Sequence, residues 1–127
     1  MEIKVKNNKT TENMLSIIVS ALNEKKGEDI KVIDISNISV IADYFIIASG
    51  SNINQIQRMA DEAAERMHKE GYTLRQIEGY DTANWILMDF NDVIVHIFNK
   101  ENRLFYDLER VWSDGINIDS SKFTIEP

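Results

Sequence analysis

Two apolar runs separated by two residues constrain this chain more than any other feature. Residues 85–90 read WILMDF, residues 93–98 read VIVHIF, and Asn91-Asp92 lies between them. A two-residue loop between such runs makes a tight antiparallel hairpin, and Asn-Asp tolerates the positive φ values that turn demands. The residues flanking the loop then pair directly: Phe90 with Val93, Met88 with Val95, Ile86 with Ile97. Paired residues point to the same side of a sheet. One face is therefore wholly apolar and is predicted to meet the core. The other carries Trp85, Leu87, Asp89, Ile94, His96 and Phe98. Two readings of this mixed face compete. A helix or the tail covers it and His96 is a hydrogen-bonded, half-buried histidine; or part of it is exposed and grips a partner.

The rest of the chain supplies elements to pack against this hairpin. Met14, Leu15, Ile18, Val19 and Leu22 recur at helical spacing. Thr10 or Thr11 can cap that helix and Gly27 can follow its end. IKVIDIS (30–36) alternates as a strand, and NISVIAD (37–43) is a connection whose apolar residues predict that it packs down. YFIIAS (44–49) is a continuous apolar run, predicted to be a central strand buried on both faces. Ser51 is the expected N-cap of a helix reaching about Glu70, with Ile56, Met59, Ala60, Ala63 and Met67 facing the core and Gly71 stopping it. YTLRQIEG (72–79) resumes a strand pattern. Residues 101–112 are predicted as one helix with Leu104, Leu108, Val111 and Trp112 on one side.

The order α-β-β-α-β-β-β-α predicts an α/β fold of α+β character: one domain, a mixed sheet of about five strands packed with helices. The expected domain spans residues 11–113. A flexible N-terminal arm, 1–10, precedes it, with a strand-like patch at Ile3–Val5. A loose C-terminal tail, 114–127, follows.

Composition narrows the function. The length of 127 residues fits a single domain with a sizeable core. There is no cysteine, which excludes disulfides and thiolate zinc sites and fits a cytoplasmic location. No apolar run approaches the ~18 residues of a membrane span, and the first ten residues have no signal-peptide pattern. The net charge is −7 with scattered lysines and arginines. A domain gripping nucleic acid by its phosphates is usually basic. Work near nucleic acid would then go through a basic protein; solubility alone is the plain alternative.

Catalytic readings fare poorly. In the hairpin register Asp89 opposes Ile94 while Leu87 opposes His96, so an Asp89–His96 pair is not automatic. The serine and threonine nucleophiles within reach, Ser49, Ser51 and Thr82, lie in no nucleophile elbow. His68 has Ala64 and Tyr72 at the i−4 and i+4 positions, which suits a solvated residue at a helix C-terminus better than a metal ligand. Phosphate binding is the best enzymatic candidate, because Ser49-Gly50-Ser51 follows a buried strand and opens a helix. Nucleotidyl transferases also need paired carboxylates for magnesium. Here Asp61 is followed by Glu62-Ala63 and Asp89 by Phe90-Asn91, and no P-loop is present. A strand-to-helix turn is the simpler account.

Several segments together resemble the ribosomal silencing factor family, also called the Iojap family. The resemblance covers roughly residues 12–113. It is carried by EGYDTANWILMDFNDVIVHIF (78–98), Arg103 and FYDLERVW (105–112), with DIS (34–36), ADYFIIASGSN (42–52) and MADE (59–62) upstream. The departures are Asn84 where the family usually has Asp, Asn91 where it usually has Gly, and Asn54-Gln55 where Arg-His is common. The resemblance implies a fold similar to nucleotidyl transferases without catalytic carboxylates, no enzyme activity and no cofactor. It implies a partner, the large ribosomal subunit, bound through the conserved basic protein numbered fourteen on its intersubunit face, with little direct RNA binding. It further implies a block to subunit joining during starvation or stationary phase, and a homodimer when free. Organelle relatives imply an alternative, large-subunit assembly; a nucleotidyltransferase-related enzyme is a third.

Carried over residue by residue, the implied partner-binding set is Trp85, Leu87, Asp92, His96, Arg103 and Tyr106. Plain structural roles stand beside these. Asp92 can serve the turn, His96 can be buried, and Arg103 and Tyr106 can brace the last helix. Asp43 can fix its loop and Glu78 can end a strand.

Overall fold

The computed structural model describes residues 8–123. The chain runs α1 (Asn8–Glu24), β1 (Glu28–Asp34), β2 (Tyr44–Gly50), α2 (Ile53–Lys69), β3 (Gln76–Glu78), β4 (Trp85–Asp89), β5 (Val93–Asn99), α3 (Lys100–Tyr106), α4 (Leu108–Val111) and β6 (Ile116–Ile118), then a one-turn 3-10 helix, Ser120–Phe123. The strands form one mixed sheet in the order β3-β4-β5-β2-β1-β6. The β2–β5 pair is parallel and the other pairs are antiparallel.

The hairpin adopts the predicted register. Ile86 pairs with Ile97, Met88 with Val95 and Leu87 with His96, and the Phe90 N–H donates to the Val93 carbonyl at 2.9 Å. Asn91 takes the left-handed conformation at φ 81°. Asn suits that conformation, since it visits it more readily than most residues. β2 lies between β5 and β1, and Phe45–Gly50 are all buried, as expected of a strand covered on both faces.

The main core lies between the sheet and α1 with α2. All five predicted α2 residues, Ile56 to Met67, are buried there. On the opposite face a smaller cluster of Ile33, Ile35, Ala42, Phe45, Ile47, Ile94 and Phe98 is flanked by Leu108, Trp112, Trp85 and Leu87. The mixed hairpin face is thus largely a second core beneath α3 and α4.

Several boundaries differ from the sequence expectation. α1 begins at Asn8, ahead of Thr10 and Thr11. Thr11 is buried because it sits one turn before Met14 and Leu15 on the same stripe. The Ile3–Val5 patch lies outside the described residues. Asn52, not Ser51, caps α2: its Oδ1 accepts from the Gln55 N–H at 2.8 Å. The 37–43 connection does not pack down, since Ile38, Val40 and Ile41 are exposed. The 101–112 helix breaks at Asp107, φ 51°, which leaves Leu104 and Val111 exposed. The tail is not loose up to residue 123. β6 pairs with β1, Ile118 opposite Val32 and Ile116 opposite Asp34, and Phe123 enters the main core. The sheet therefore has a sixth strand.

One glycine is needed for the hairpin to meet its neighbour. Gly79 has φ 79°, and a Cβ there would lie 2.1 Å from the Trp85 carbonyl oxygen. Strain and collision with backbone combine. Gly79→Ala is expected to cost about 2–4 kcal/mol of stability, measurable by urea unfolding. An unchanged midpoint would show that the 79–85 turn relaxes freely.

Candidate functional site

Register and chain order bring Trp85, Arg103 and Tyr106 to one end of the sheet. Trp85 pairs with Phe98, Phe98 with Ser49, and Ser49 with Glu28. α3 starts directly from the end of β5, where the Asn99 side chain accepts from the Asn102 N–H at 2.8 Å. Asn84 joins the same corner: its Oδ1 accepts from Asn99 Nδ2 at 3.0 Å. At this departure from the family pattern the amide side chain ties the turn before β4 to the cap of α3.

α3 then lays an aromatic ridge against Trp85. The Trp85 ring lies 4.6 Å from Tyr106 and 5.0 Å from Phe98, and Phe105 stands edge-on to Tyr106 at 5.1 Å. Trp85 and Leu87 are half-buried, while Tyr106 is exposed and Leu104 and Phe105 stand about four-fifths exposed, at 80% and 79%. Helical spacing groups Leu104 with Leu108, Val111 and Trp112 on one side of a single helix, whereas the structure leaves both Leu104 and Phe105 on the surface. The run Leu104-Phe105-Tyr106 did hold a signal. Three consecutive helical residues span about 200° of arc and cannot all face one core.

Arg103 and His96 lie under this ridge rather than on it. Arg103 is buried, and its guanidinium donates to Ser49 Oγ at 2.9 Å and to Glu109 Oε2 at 2.8 Å. It clamps α3 and α4 to β2. His96 is buried, with Nδ1 accepting from the Trp85 indole N–H at 3.0 Å and the Phe45 ring edge-on at 4.7 Å. Because Nδ1 accepts, the neutral ring carries its proton on Nε2, and Nε2 has no partner among the described residues. Burial pushes the His96 pKa down to about 4. Asp89 turns to the hairpin loop, its Oδ1 accepting from the Asn91 N–H at 2.7 Å.

The histidine makes stability pH-dependent in a definite direction. The folded protein holds His96 neutral to about pH 4, while the unfolded chain takes up the proton near 6.5. The unfolded state therefore binds more protons between these values, and stability falls as the pH drops through that window, by about 3 kcal/mol in all. His96→Phe should flatten the pH 4–6.5 slope of the unfolding free energy. An unaltered slope would assign it to other groups.

Asp92 lies elsewhere. Its carbonyl accepts from the Asp43 and Tyr44 N–H groups at 2.9 and 3.1 Å. It sits at the Val93 end of β5, six residues or roughly 20 Å along the chain from Phe98. The structure thus brings Trp85 and Tyr106 together, places His96 and Arg103 beneath them, and sets Asp92 apart, with Leu87 between on β4.

The serine loop turns its groups inward. Ser51 N–H donates to Gln55 Oε1 at 2.6 Å, and Gln55 Nε2 donates to the Lys25 and Lys26 carbonyls. Gln55, at another departure from the family pattern, locks the β2–α2 turn to the end of α1. Among the described residues no three His, Asp or Glu side chains gather in a way that could hold a metal ion.

Fold and surface together define a class: a small mixed-sheet domain with an aromatic ridge built where its central parallel strands end. The chain belongs to the ribosomal silencing factor family, whose model, described as ribosomal silencing factor during starvation, matches residues 8–126. A ribosomal silencing factor of Bacillus subtilis is 39% identical over 103 residues, covering 81% of this chain and 87% of the relative. A crystal structure of a Chromobacterium violaceum protein superposes with a TM-score of 0.79 at 25% identity, covering 91% and 88% of the two chains. A mouse protein named for mitochondrial assembly of the ribosomal large subunit is 28% identical, covering 78% of this chain and 45% of the relative.

Proposed function

We propose that this protein is a cytoplasmic translational repressor. It binds the large ribosomal subunit through the conserved basic protein numbered fourteen on the intersubunit face, and by its bulk blocks joining of the small subunit in starvation or stationary phase. The observation that carries this reading is the ridge of Trp85, Phe105 and Tyr106, aromatic and accessible, on a domain of net charge −7. Aromatic anchors on a domain of acidic net charge suit a basic protein partner, and the charge speeds encounter with it. Trp85, Leu87 and Tyr106 make contact directly. His96 orients the Trp85 indole from below, Arg103 holds the helix that presents Tyr106, and Asp92 meets the partner at the far end of the sheet. The reaction is binding alone, with no cofactor and little direct contact to RNA.

Co-sedimentation with purified large subunits across a salt series tests this, followed by a subunit-joining assay. Binding that weakens with salt and a reduced yield of joined ribosomes are expected; no co-sedimentation at low salt would refute the reading. The mouse relative's name supports a second reading, large-subunit assembly. Cells depleted of the protein would then accumulate large-subunit precursors rather than an excess of joined ribosomes.

A further inference from the structure

We propose that the β1–β2 connection, residues 35–43, is a second docking surface, for an apolar recess in a basic protein. This deepens the function proposed above and rests on it: the occupant is the same partner that covers the aromatic ridge.

The connection displays apolar side chains that the fold does not use. Val40 is fully exposed at 102%, and Ile41 and Ile38 are exposed at 62% and 44%. The loop carrying them is held from within. Asp34 Oδ1 accepts from the Ser36 N–H and hydroxyl at 2.9 and 2.7 Å, and Ser39 Oγ accepts from the Ile41 N–H at 3.1 Å. The Ile38 N–H donates to the Ile35 carbonyl at 3.0 Å, and the Ile35 N–H to the Asp43 carbonyl at 2.8 Å. A loop already fixed loses little freedom on binding.

Charge selects the occupant. The row Ile116–Asp34–Tyr44–Val93 across the sheet sets Asp34, Asp43 and Asp92 at the base of the connection. No lysine or arginine occurs between Lys31 and Arg58. At the neighbouring hairpin the Arg75 guanidinium donates to Asn91 Oδ1 at 2.8 Å. A second copy would bring aspartates against aspartates; nucleic acid and anionic lipid are repelled likewise. A basic protein is complementary.

Position favours one partner for both surfaces. Ile35 and Ala42 anchor the connection in the same small core as Phe98, Leu108 and Trp112, so it lies on the α3–α4 side of the sheet. The ends of β5 are roughly 20 Å apart, within the footprint of about 800 Å² per partner of an ordinary interface.

The test uses the full-length protein, purified large subunits and the double variant Val40→Ser, Ile41→Ser. Both positions are solvated, so stability should hold. Binding is expected to weaken about tenfold, while Ile53→Ser, an exposed apolar residue at the start of α2, changes nothing. If wild type binds and the double variant binds equally well, this surface is not a contact and the ridge reading survives. If wild type does not bind, the proposed function fails and takes this inference with it. If instead the variant turns a free dimer into a monomer in sedimentation equilibrium with subunit binding unchanged, the occupant is a second copy and the inference is overturned.

Discussion

Trp85→Ala is expected to weaken binding to large ribosomal subunits by about 2–4 kcal/mol, the range of a central aromatic anchor. Trp85 touches both Phe98 below and Tyr106 above, so its loss removes area and lets Tyr106 tilt. It also removes the donor to His96 Nδ1, so part of the change reflects a disturbed core. Phe105→Glu separates the two effects. Phe105 is 79% exposed, and its replacement should leave thermal stability within about 0.5 kcal/mol of wild type. The added carboxylate still desolvates at the interface, so binding should fall at least about tenfold. Two well-folded variants that both bind like wild type would place the grip away from the ridge.

The hairpin register was readable because a two-residue loop leaves no freedom in pairing. Every assignment from Ile86 to Ile97 followed from Asn91-Asp92 and the alternation of faces. The α2 core face was equally plain, since Ile56, Met59, Ala60, Ala63 and Met67 keep helical period without interruption. Even the separation of Asp92 from Trp85 was implicit in the register, because one sits in the loop and the other at the open end.

What was hidden depends on contacts distant in sequence. The N-cap choice between Ser51 and Asn52 is settled by Gln55, whose side chain satisfies Ser51 and reaches the end of α1. The docking of residues 116–123 required the free edge of β1 and a gap beside α1 for Phe123. The connection 37–43 misled because three apolar residues usually mean burial, and here only Ile35 and Ala42 beside them are buried. The site was half legible for the same reason. Trp85 and Tyr106 could be recognised as aromatic anchors, but the burial of His96 depends on Phe45 from another strand, and that of Arg103 on Ser49 and Glu109.

Arg103 also explains the helix break that periodicity could not foresee, and its removal carries a large expected loss of stability. Residues six apart do not face each other in a continuous helix. The left-handed Asp107 turns α4 so that Glu109 comes back to the Arg103 guanidinium at 2.8 Å. The same guanidinium reaches Ser49 Oγ and the Glu28 carbonyl. Arg103→Ala leaves a buried hydroxyl and a part-buried carboxylate without their donor. With Glu109 one-third exposed, the expected cost is about 2–4 kcal/mol, below that of a fully buried pair. Arg103→Lys keeps the charge but not the planar fork that reaches Ser49 and Glu109 together, so it should restore only part of the loss. Adding Glu109→Gln in an Arg103→Ala background should cost less than Glu109→Gln alone, the mark of coupled residues. Hydrogen exchange should quicken along α3 and α4 while β2 and β5 stay protected, and binding should weaken with it, because α3 carries Phe105 and Tyr106. An Arg103→Ala protein that unfolds at the wild-type midpoint, with α3 amides still protected, would show that packing of Leu108 and Trp112 alone holds the segment to the sheet.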